Sequence, residues 1–563
     1  MEKIWLQKYP ECVPMHINPD AFASINDLFE KTAETFRRKP ALYQMGLKMT
    51  YEKLDKKSKD FAAYLQQKVH LKKGDRFAIM MPNSVQYIVA MLGALRAGLV
   101  VVNVNPLYTV REVVHQIKDS NAKVILVLAN FAHVVEKALP QTDIEHVMVT
   151  EVGDMFRFIK SRMINFVTKR IKKMVPKYER AGIIRFRRAL SQGKRLRFAK
   201  VDVNGGDLAF LQYTGGTTGV SKGAMLSHRN IIANVEQCYA WMSAGGMDPG
   251  KEIVITALPM YHIFSLLVNC FSFLKIGVLN VLVMNPTDIA GFIRELSKHD
   301  FTIFTGVNTL FKALLRHRNF KKLNFSTLKM TIGGGMAVHS SVADKWHEIT
   351  GKPIIEAYGL TEASPAVSCN LLTIKKYNKS IGFPLPSTEI KIIDIQTGAE
   401  LSIGEPGELC VQGPQVMQGY WNRPEETAQV ISSDGWLHTG DIAEMNAEGL
   451  ITIVDRKKDM IVVSGYNVYP NEIEEVLSEH PDILEVAVIG ESSEKTGEVI
   501  KAYIVRKDKS LNREILMAFC RERLTSYKIP KHFEFCEALP KSNVGKILRR
   551  VLREEHFRTE HID

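Results

Sequence analysis

A glycine- and threonine-rich loop, Tyr213-Thr-Gly-Gly-Thr-Thr-Gly-Val-Ser-Lys-Gly223, directly follows the apolar run Asp207 to Gln212. Glycine lets backbone N–H groups turn toward an anion at low steric cost, and hydroxyl groups and a lysine add donors and a positive charge. The residues that supply these features are Gly215, Gly216 and Gly219, then Thr214, Thr217, Thr218 and Ser221, then Lys222. The pattern predicts a phosphate-binding loop after a buried strand.

The spacing within this loop excludes one common class of phosphate loop. GTPases and motor proteins place Ser or Thr directly after a Gly-Lys pair, whereas here Val220 and Ser221 separate Gly219 from Lys222. A glycine-rich turn without ligand is the structural alternative, but it leaves the cluster of hydroxyl donors and the lysine unexplained.

Outward from the loop, short apolar runs alternate with helical patterns, which predicts a mainly parallel sheet covered by helices on both faces. The runs are Phe77 to Met80, Leu99 to Val104, Lys123 to Leu128 and Val147 to Val149. From about residue 382 to 455 short strands with turn signals predict a small β-rich unit. A chain of 563 residues is long enough for several cores, and we expect a domain boundary between residues 457 and 458.

The C-terminal segment, residues 458–563, reads as a compact α+β domain. Asn471 is expected to cap a helix, since Glu474 follows three residues later and Glu472 and Glu475 lie in the first turn. Strands are predicted at Leu484 to Gly490 and Val499 to Val505.

The seven cysteines form no CxxC pair and are odd in number, which favours a reducing compartment and predicts small buried side chains. The first ten residues lack the apolar stretch of a secretory signal, so a cytoplasmic location is expected. The run Ile263 to Met284 approaches membrane-spanning length, but its polar interruptions favour a buried helix followed by a strand.

The net charge of +13 is concentrated in one segment, residues 155–200, which holds sixteen Lys or Arg against a single acid, Glu179. Apolar residues recur there at three- and four-residue steps from Ile159 to Met174, until Pro176, and predict a basic amphipathic helix. Such a helix can lie peripherally on the anionic cytoplasmic face of a membrane; the alternative is a solvated helix whose apolar edge packs on its own domain. Nucleic acid is not expected as a partner, because no helix-turn-helix, zinc or RNA-binding motif accompanies the charge.

The phosphate loop resembles that of the adenylate-forming superfamily, which includes acyl-CoA synthetases, luciferases and adenylation domains. Further segments resemble its other signatures, in order, over nearly the whole chain. They are Gly333-Gly-Gly335, Tyr358-Gly-Leu-Thr-Glu362, Asp434-Gly-Trp-Leu-His-Thr-Gly-Asp441, Asp455-Arg-Lys-Lys-Asp459 and Pro540-Lys-Ser-Asn-Val-Gly-Lys546. The resemblance implies an α/β multi-domain protein: a large N-terminal domain of parallel α/β sheets with a small β-barrel-like unit, and a small mobile α+β C-terminal domain.

The resemblance also implies residue roles. Tyr358 and Gly359 lie against adenine with Gly333, Gly334 and Gly335, while Thr361 reaches the α-phosphate and Glu362 binds Mg²⁺. A metal and a lysine are chemically sensible there, because attack of a carboxylate on the α-phosphorus brings two anions together. Asp441 and Arg456 hold the ribose, and the ATP site includes the loop residues Tyr213 to Lys222. Lys546 contacts the acid and the α-phosphate, and His262 gates the carboxylate site.

A second set of expectations concerns coenzyme A (CoA). By the resemblance Lys458 is a hinge about which the C-terminal domain rotates, withdrawing Lys546 and presenting Ser464, Gly465 and Tyr466 to the pantetheine arm. The hinge region and the basic segment are most similar to bacterial long-chain fatty-acid–CoA ligases. The implied substrates are ATP, a fatty acid and CoA, with Mg²⁺, and a homodimer is expected from the resemblance alone.

Two other classes stay open at this stage. One is a fatty-acyl-AMP ligase or another adenylate-forming enzyme with a different acid or acceptor, such as a carrier protein or oxygen. The absence of an obvious insert after the hinge, and of a downstream carrier domain, argues against it. The other is a non-catalytic lipid-binding protein with the same fold, which the joint presence of Lys222, Glu362, Asp441, Arg456 and Lys546 disfavours.

Overall fold

A computed structural model describes residues 3–179, 182–214, 221–463, 466–493, 497–542 and 545–560, the last six by backbone alone. The strands are β1 (Pro40–Gln44), β2 (Leu47–Thr50), β3 (Arg76–Met80), β4 (Val100–Val104), β5 (Ala122–Leu128), β6 (His146–Thr150), β7 (Ile184–Arg185), β8 (Leu208–Thr214), β9 (Lys222–Ser227), β10 (Ile253–Thr256), β11 (Leu279–Leu282), β12 (Ile303–Gly306), β13 (Met330–Gly333), β14 (Ile354–Gly359), β15 (Ala366–Cys369), β16 (Phe383–Pro384), β17 (Glu389–Ile393), β18 (Gly407–Gln412), β19 (Leu437–Met445), β20 (Ile451–Arg456), β21 (Ile461–Val463), β22 (Tyr466–Val468), β23 (Ile483–Ser493), β24 (Gly497–Arg506) and β25 (His532–Phe535).

The α-helices are α1 (Ile25–Thr35), α2 (Tyr51–Gln67), α3 (Val85–Arg96), α4 (Val110–Ser120), α5 (Ala132–Ala138), α6 (Phe158–Phe166), α7 (Phe186–Gly193), α8 (His228–Met242), α9 (Phe273–Lys275), α10 (Ile289–Leu296), α11 (Asn308–Arg316), α12 (Ser340–Thr350), α13 (Pro424–Val430), α14 (Pro470–Ser478), α15 (Arg513–Arg521) and α16 (Arg549–Glu560).

Two large sheets form the N-terminal α/β domain. The first has the order β16-β15-β14-β13-β12-β10-β11-β1-β2 and the second β7-β6-β5-β3-β4-β8-β9. Pairing is parallel in the centre of both sheets and antiparallel at β2, β9, β15 and β16. The predicted mainly parallel architecture is confirmed. Because the central strands run in one direction, their carboxyl ends meet along one edge of each sheet, where ligands bind in open α/β folds.

Helix α3 lies in the layer between the two sheets. Every residue from Val85 to Arg96 is buried, as expected of a helix that has no solvent-facing side. The largest apolar core joins α3 and α8 to strands of both sheets, for example through Leu42 and Phe77. The one charged residue of α3, Arg96, is compensated by Glu30 and Asp55, each 2.6 Å away. The two sheets therefore share one core.

The β-rich unit is an antiparallel sheet in the order β17-β18-β19-β20. The C-terminal α+β domain contains a further sheet, β22-β21-β24-β23, with β25 paired to β24 in parallel. Its two apolar clusters consist only of residues from Ile461 onward. The predicted strands near Leu484 and Val499 are confirmed and extend further than expected, as β23 and β24.

Two local predictions are wrong. Helix α14 begins at Pro470, so Tyr469 occupies the cap position without a side-chain hydrogen bond and Asn471 is inside the first turn. Proline is favoured at the first helical position because it lacks an N–H, and this sets the start one residue earlier than Asn471. Among the cysteines, Cys12 is exposed instead of buried, although all seven are free.

The basic segment contains α6 followed by a π-helical turn, Val167–Ile171. Six of its apolar side chains are at least half exposed: Phe158, Ile159, Met163, Phe166, Ile171 and Met174. Val167 is partly exposed, and Ile164 is buried in the core of the domain. The run at Ile263 to Met284 forms a buried π-helix, then α9 and β11, as predicted. Among the described helices, none is both long and apolar enough to cross a bilayer.

Candidate active site

The two ends of the glycine-rich loop are held together as neighbouring strands. Thr214 at the end of β8 pairs with Lys222 at the start of β9, and Tyr213 pairs with Gly223. The Ser221 hydroxyl donates to the Thr214 carbonyl over 2.6 Å. The intervening predicted site residues, Gly215, Gly216, Thr217, Thr218, Gly219 and Val220, lie outside the described residues. The loop thus leaves and re-enters the sheet at adjacent positions, at its carboxyl edge.

Lys222 and Glu362 come together through a residue that sequence reasoning missed. The Tyr420 hydroxyl donates to Glu362 Oε1 over 2.7 Å, and Lys222 Nζ lies 5.2 Å from the centre of the Tyr420 ring. Burial, followed by the nearby Glu362 charge, raises the pKa of Tyr420, so its hydroxyl stays a donor. The aromatic pair Tyr420-Trp421 after Gly419 was the available signal, but such pairs are more often core residues.

Glu362 lies in a short turn, Thr361–Ala363, directly after β14. Its backbone carbonyl accepts from the Met417 amide over 2.8 Å, which ties the turn to the segment that carries Tyr420. Gly359 must be glycine here, because a Cβ atom would come within 2.2 Å of the Pro365 carbonyl oxygen. Thr361 and Glu362 are consequently presented at the carboxyl end of β14.

Asp441 is oriented from two sides. The Tyr358 hydroxyl donates to Asp441 Oδ2 over 2.6 Å, and Arg456 Nε lies 3.0 Å from Asp441 Oδ1. Asp441 and Arg456 are directly opposite each other on β19 and β20. The Asp441 charge raises the pKa of Arg456, as expected for a close ion pair. The structure therefore brings three predicted ATP-site residues into one cluster.

The Gly333-Gly-Gly335 segment leaves β13 against β14 and the cavity. A Cβ atom on Gly334 would lie 3.0 Å from the Ala357 carbonyl oxygen and 3.2 Å from the Phe264 ring, so glycine permits this close approach. Gly335 has a φ of +78°, which favours glycine again. The chain thereby turns into the cavity that Gly335 and Met336 line.

A small, mainly apolar cavity of about 30 Å³ contains the predicted adenylation lysine. It is lined by Leu258, Pro259, His262, Phe264, Val307, Gly335, Met336 and Lys546. Burial, and then the Arg456 charge, lower the pKa of Lys546 to about 8. Burial, and then the Lys546 charge, lower the pKa of His262 to about 4, so His262 is neutral near pH 7. A lysine from the C-terminal domain thus enters the N-terminal domain beside the Asp441 cluster.

The predicted CoA segment lies elsewhere in this arrangement. Tyr466 is 59% exposed, and its ring stacks on Tyr527 with centroids 4.8 Å apart. Ser464 and Gly465 lie outside the described residues. Lys458 follows β20, and burial lowers its pKa. The structure therefore places Lys546, and not Tyr466, against the candidate site.

Nearby, Asp455 at the end of β20 accepts from the Asn471 amide over 2.7 Å. The Asn471 side chain accepts from Arg549 over 2.6 Å, so it serves this contact instead of capping α14. The end of β20 is thereby joined to α14, and α14 is joined to α16.

These features together define an adenylate-forming enzyme: two α/β sheets, paired strands that flank a phosphate loop, the oriented carboxylates of Glu362 and Asp441, and a lysine supplied by a C-terminal α+β domain. Residues 29–421 match the AMP-binding enzyme family, and residues 472–546 match the AMP-binding enzyme C-terminal domain. This chain belongs to the AMP-binding enzyme family.

Relatives match over the full length. A long-chain-fatty-acid–CoA ligase of Escherichia coli O157:H7 is 54% identical over 99% of this chain and 98% of its own. The ligase of the same name from Haemophilus influenzae is 50% identical over 99% of both chains, and that from Bacillus subtilis is 39% identical over 100% and 99%.

Solved structures share the whole fold. ATP-bound MatB from Rhodopseudomonas palustris superposes with a TM-score of 0.80 at 27% identity, over 95% of this chain and 99% of its own. The anthranilate CoA ligase AuaEII gives a TM-score of 0.82 at 23% identity, over 96% and 98%. This second likeness bears on the fold alone.

Proposed function

We propose that this chain is an AMP-forming long-chain fatty-acid–CoA ligase. The observation that carries the proposal is the entry of Lys546 into an apolar cavity beside Asp441 and Arg456. An ammonium group there can hold a carboxylate at the edge of a nucleotide site while the acyl chain meets apolar walls. The names of the full-length relatives support a long-chain acid and CoA as the substrates.

In the first half-reaction a carboxylate oxygen attacks the α-phosphorus of ATP, and the bond to pyrophosphate breaks. Lys546 and Thr361 would stabilise the charge that develops at the α-phosphate, and Lys222 would bind the phosphates. Asp441 and Arg456 would hold the ribose, while Tyr358 and the Gly333–Gly335 segment would border adenine. His262, neutral and next to Lys546, would border the carboxylate without adding a charge.

The carboxylate of Glu362 is suited to bind a magnesium ion. Magnesium is usually held by one or two carboxylates together with substrate phosphates. Within the described residues no group of three or more His, Cys, Asp or Glu could hold a metal, and the Glu362 carboxylate has one partner there, Tyr420. When bound, Mg²⁺ would offset the negative charge of the triphosphate.

In the second half-reaction the CoA thiolate attacks the acyl carbon, forms the thioester and releases AMP. For this step the domain 458–563 would rotate about Lys458, withdraw Lys546 and bring Ser464, Gly465 and Tyr466 to the site. The separate apolar cores after Ile461 and the exposure of Tyr466 support a boundary at residues 457 and 458.

The test is AMP formation by purified protein with MgATP and acids from acetate to oleate, each with and without CoA. CoA-dependent AMP release with long chains supports the ligase. Acyl-adenylate that accumulates regardless of CoA would favour an adenylate-forming enzyme with another acceptor. Activity confined to aryl or amino acids would overturn the acid assignment.

We also propose that residues 155–200 hold the enzyme peripherally on the anionic cytoplasmic face of a membrane. Six large apolar side chains from Phe158 to Met174 are exposed, with basic residues between them. An apolar stripe flanked by lysine and arginine is typical of helices that lie in the interface of an anionic bilayer. A homodimer is proposed on the resemblance alone.

A further inference from the structure

Helix α4 contacts both ends of the phosphate loop with two side chains of one face. His115 and Asp119 are four residues apart and so lie one above the other on the helix. His115 Nε2 lies 3.0 Å from the Ser221 carbonyl oxygen, and the Tyr213 hydroxyl donates to Asp119 Oδ2 over 2.6 Å. Because a carbonyl oxygen only accepts, His115 Nε2 must carry the proton.

These contacts fix the residues next to the loop. Ser221 directly precedes Lys222, so the contact with His115 fixes the backbone from which the Lys222 side chain extends. The Tyr213 ring lies against Gly223, where a Cβ atom would be 3.1 Å from the ring. Burial, followed by its bond to Asp119, raises the pKa of Tyr213, which keeps the hydroxyl protonated as the donor. Residues at both ends of the loop, Tyr213 and Ser221, are thus anchored to one helix.

Asp119 also joins the other side of the site. Its Oδ1 accepts from Arg423 over 3.0 Å, and its backbone carbonyl accepts from Trp421 Nε1 over 3.1 Å. Trp421 and Arg423 follow Tyr420, the partner of Glu362, in the same segment. Asp119 therefore links the phosphate-loop strand to the segment that orients the proposed magnesium ligand.

Helix α4 is itself rigidly placed. A reciprocal capping box between Thr109 and Glu112 starts it, and Val113, Gln116 and Ile117 bury its other face. The Gln116 side chain donates to the Asn103 carbonyl over 2.8 Å inside the core. A helix fixed in this way can hold the two loop ends at a constant separation.

We infer that His115 and Asp119 are positioning residues for the triphosphate of ATP. They act through Ser221 and Tyr213 and not by touching substrate. The inference rests on the proposed function, since it assigns these residues to the half-reaction that uses ATP. Only that half-reaction handles a triphosphate, so loss of the brace impairs it and spares thioester formation from preformed acyl-adenylate.

The test compares His115→Leu with His115→Gln, whose side-chain amide can still donate to Ser221. Lys118→Ala, an exposed position on the same helix, is the control. His115→Leu raises the KM for MgATP about three- to tenfold, the range expected for one lost hydrogen bond, and leaves the KM for the acid unchanged. His115→Gln restores most of the affinity. Asp119→Asn leaves a single side-chain oxygen to accept from both Tyr213 and Arg423, and it also raises the KM for MgATP.

Three results would overturn the inference: an unchanged KM for MgATP in His115→Leu, equal losses in both half-reactions, or a glutamine variant as impaired as the leucine variant. Unfolding temperatures of the variants show whether each is folded. Equilibrium binding of MgATP without acid gives a readout independent of the reaction. Failure of the wild-type protein to form AMP from any acid would refute the proposed function, whereas altered MgATP binding in the variants would still support the brace.

Discussion

Tyr358 and Asp441 are separated by 83 positions in the chain and joined by a hydrogen bond of 2.6 Å. Arg456 contacts the other carboxylate oxygen at 3.0 Å, so Asp441 is held on both sides by protein side chains. Each carboxylate oxygen still has lone-pair capacity for a ribose hydroxyl. Preorganisation of this kind reduces the ordering cost of binding.

Removing the Tyr358 hydroxyl tests this relationship. Tyr358→Phe keeps the ring but leaves Asp441 with Arg456 alone, and we expect the KM for MgATP to rise about three- to tenfold, the effect of one hydrogen bond. Steady-state kinetics with varied MgATP measure it. Tyr239→Phe, on an exposed tyrosine of α8, is the matched control. A KM unchanged in Tyr358→Phe would contradict the proposed role of Asp441.

Replacing Lys546 separates the half-reactions. Lys546→Ala should slow acyl-adenylate formation about a hundredfold or more, the scale seen when one transition-state donor is removed. Thioester formation from preformed acyl-adenylate should persist, because the proposed rotation would withdraw Lys546 in that step. Pyrophosphate release and thioester yield measure the two. Lys541→Ala, in the same segment but paired with Glu485, is the control. Equal loss of both steps would refute the rotation.

The lowered pKa of Lys546 predicts that the rate of adenylation decreases on the alkaline side of its pH profile. The proposed role of Lys546 requires its charged ammonium, so kcat/KM for adenylation should fall as pH rises through about 8, the pKa of Lys546 in the free enzyme. Lys546→Arg stays charged, and its slower reaction should show no such decrease between about pH 7 and 9.5. Pyrophosphate release across this pH range measures both profiles. The same decrease in the arginine variant would assign it to another group.

Neutralising Glu362 tests the metal assignment. Glu362→Gln keeps the size and the Tyr420 contact but removes the charge, and the Mg²⁺ concentration for half-maximal adenylation should rise about tenfold or more. Titration of Mg²⁺ at fixed ATP measures this. Glu425→Gln, in the first turn of α13, serves as control. A Glu362 variant with an unaltered Mg²⁺ requirement would remove this residue as the ligand.

Polar substitution of the exposed stripe tests the membrane proposal. Ile159 and Phe166 are 83% and 59% exposed, so Ile159→Ser with Phe166→Ser should not disturb the core. The double variant should float less with anionic liposomes and keep its activity on soluble short acids. Ile403→Ser, exposed in the β-rich unit, should float like wild type. Wild-type flotation should weaken as salt screens the basic residues. Unchanged flotation of the double variant would contradict the proposal.

Local periodicity was sufficient to predict the mainly parallel sheets and the strand before the glycine-rich loop. The roles of Tyr358, Asp441 and Arg456 were implied by the family resemblance alone, and their mutual contacts were not predicted. Tyr420 was missed because its role comes from a hydrogen bond to Glu362, 58 positions away. No local pattern encodes that contact.

Local rules also failed where distant residues compete. Asn471 fits a cap pattern, but Pro470 begins the helix and Arg549 engages the Asn471 side chain. His115 and Asp119 have the spacing of an ordinary exposed helix face. Their contacts with Ser221 and Tyr213 exist only because β8 and β9 pack beside α4.

The most direct test of the proposed ligase reaction is to follow a carboxyl oxygen of the fatty acid into AMP. Palmitate labelled with oxygen-18 in its carboxyl group is offered with MgATP and CoA, and the AMP is analysed by mass spectrometry. Attack of the carboxylate on the α-phosphorus, followed by thioester formation, leaves one carboxyl oxygen on AMP. We predict AMP that carries a single oxygen-18 atom; AMP without label, or label found only in inorganic phosphate, would contradict the acyl-adenylate route.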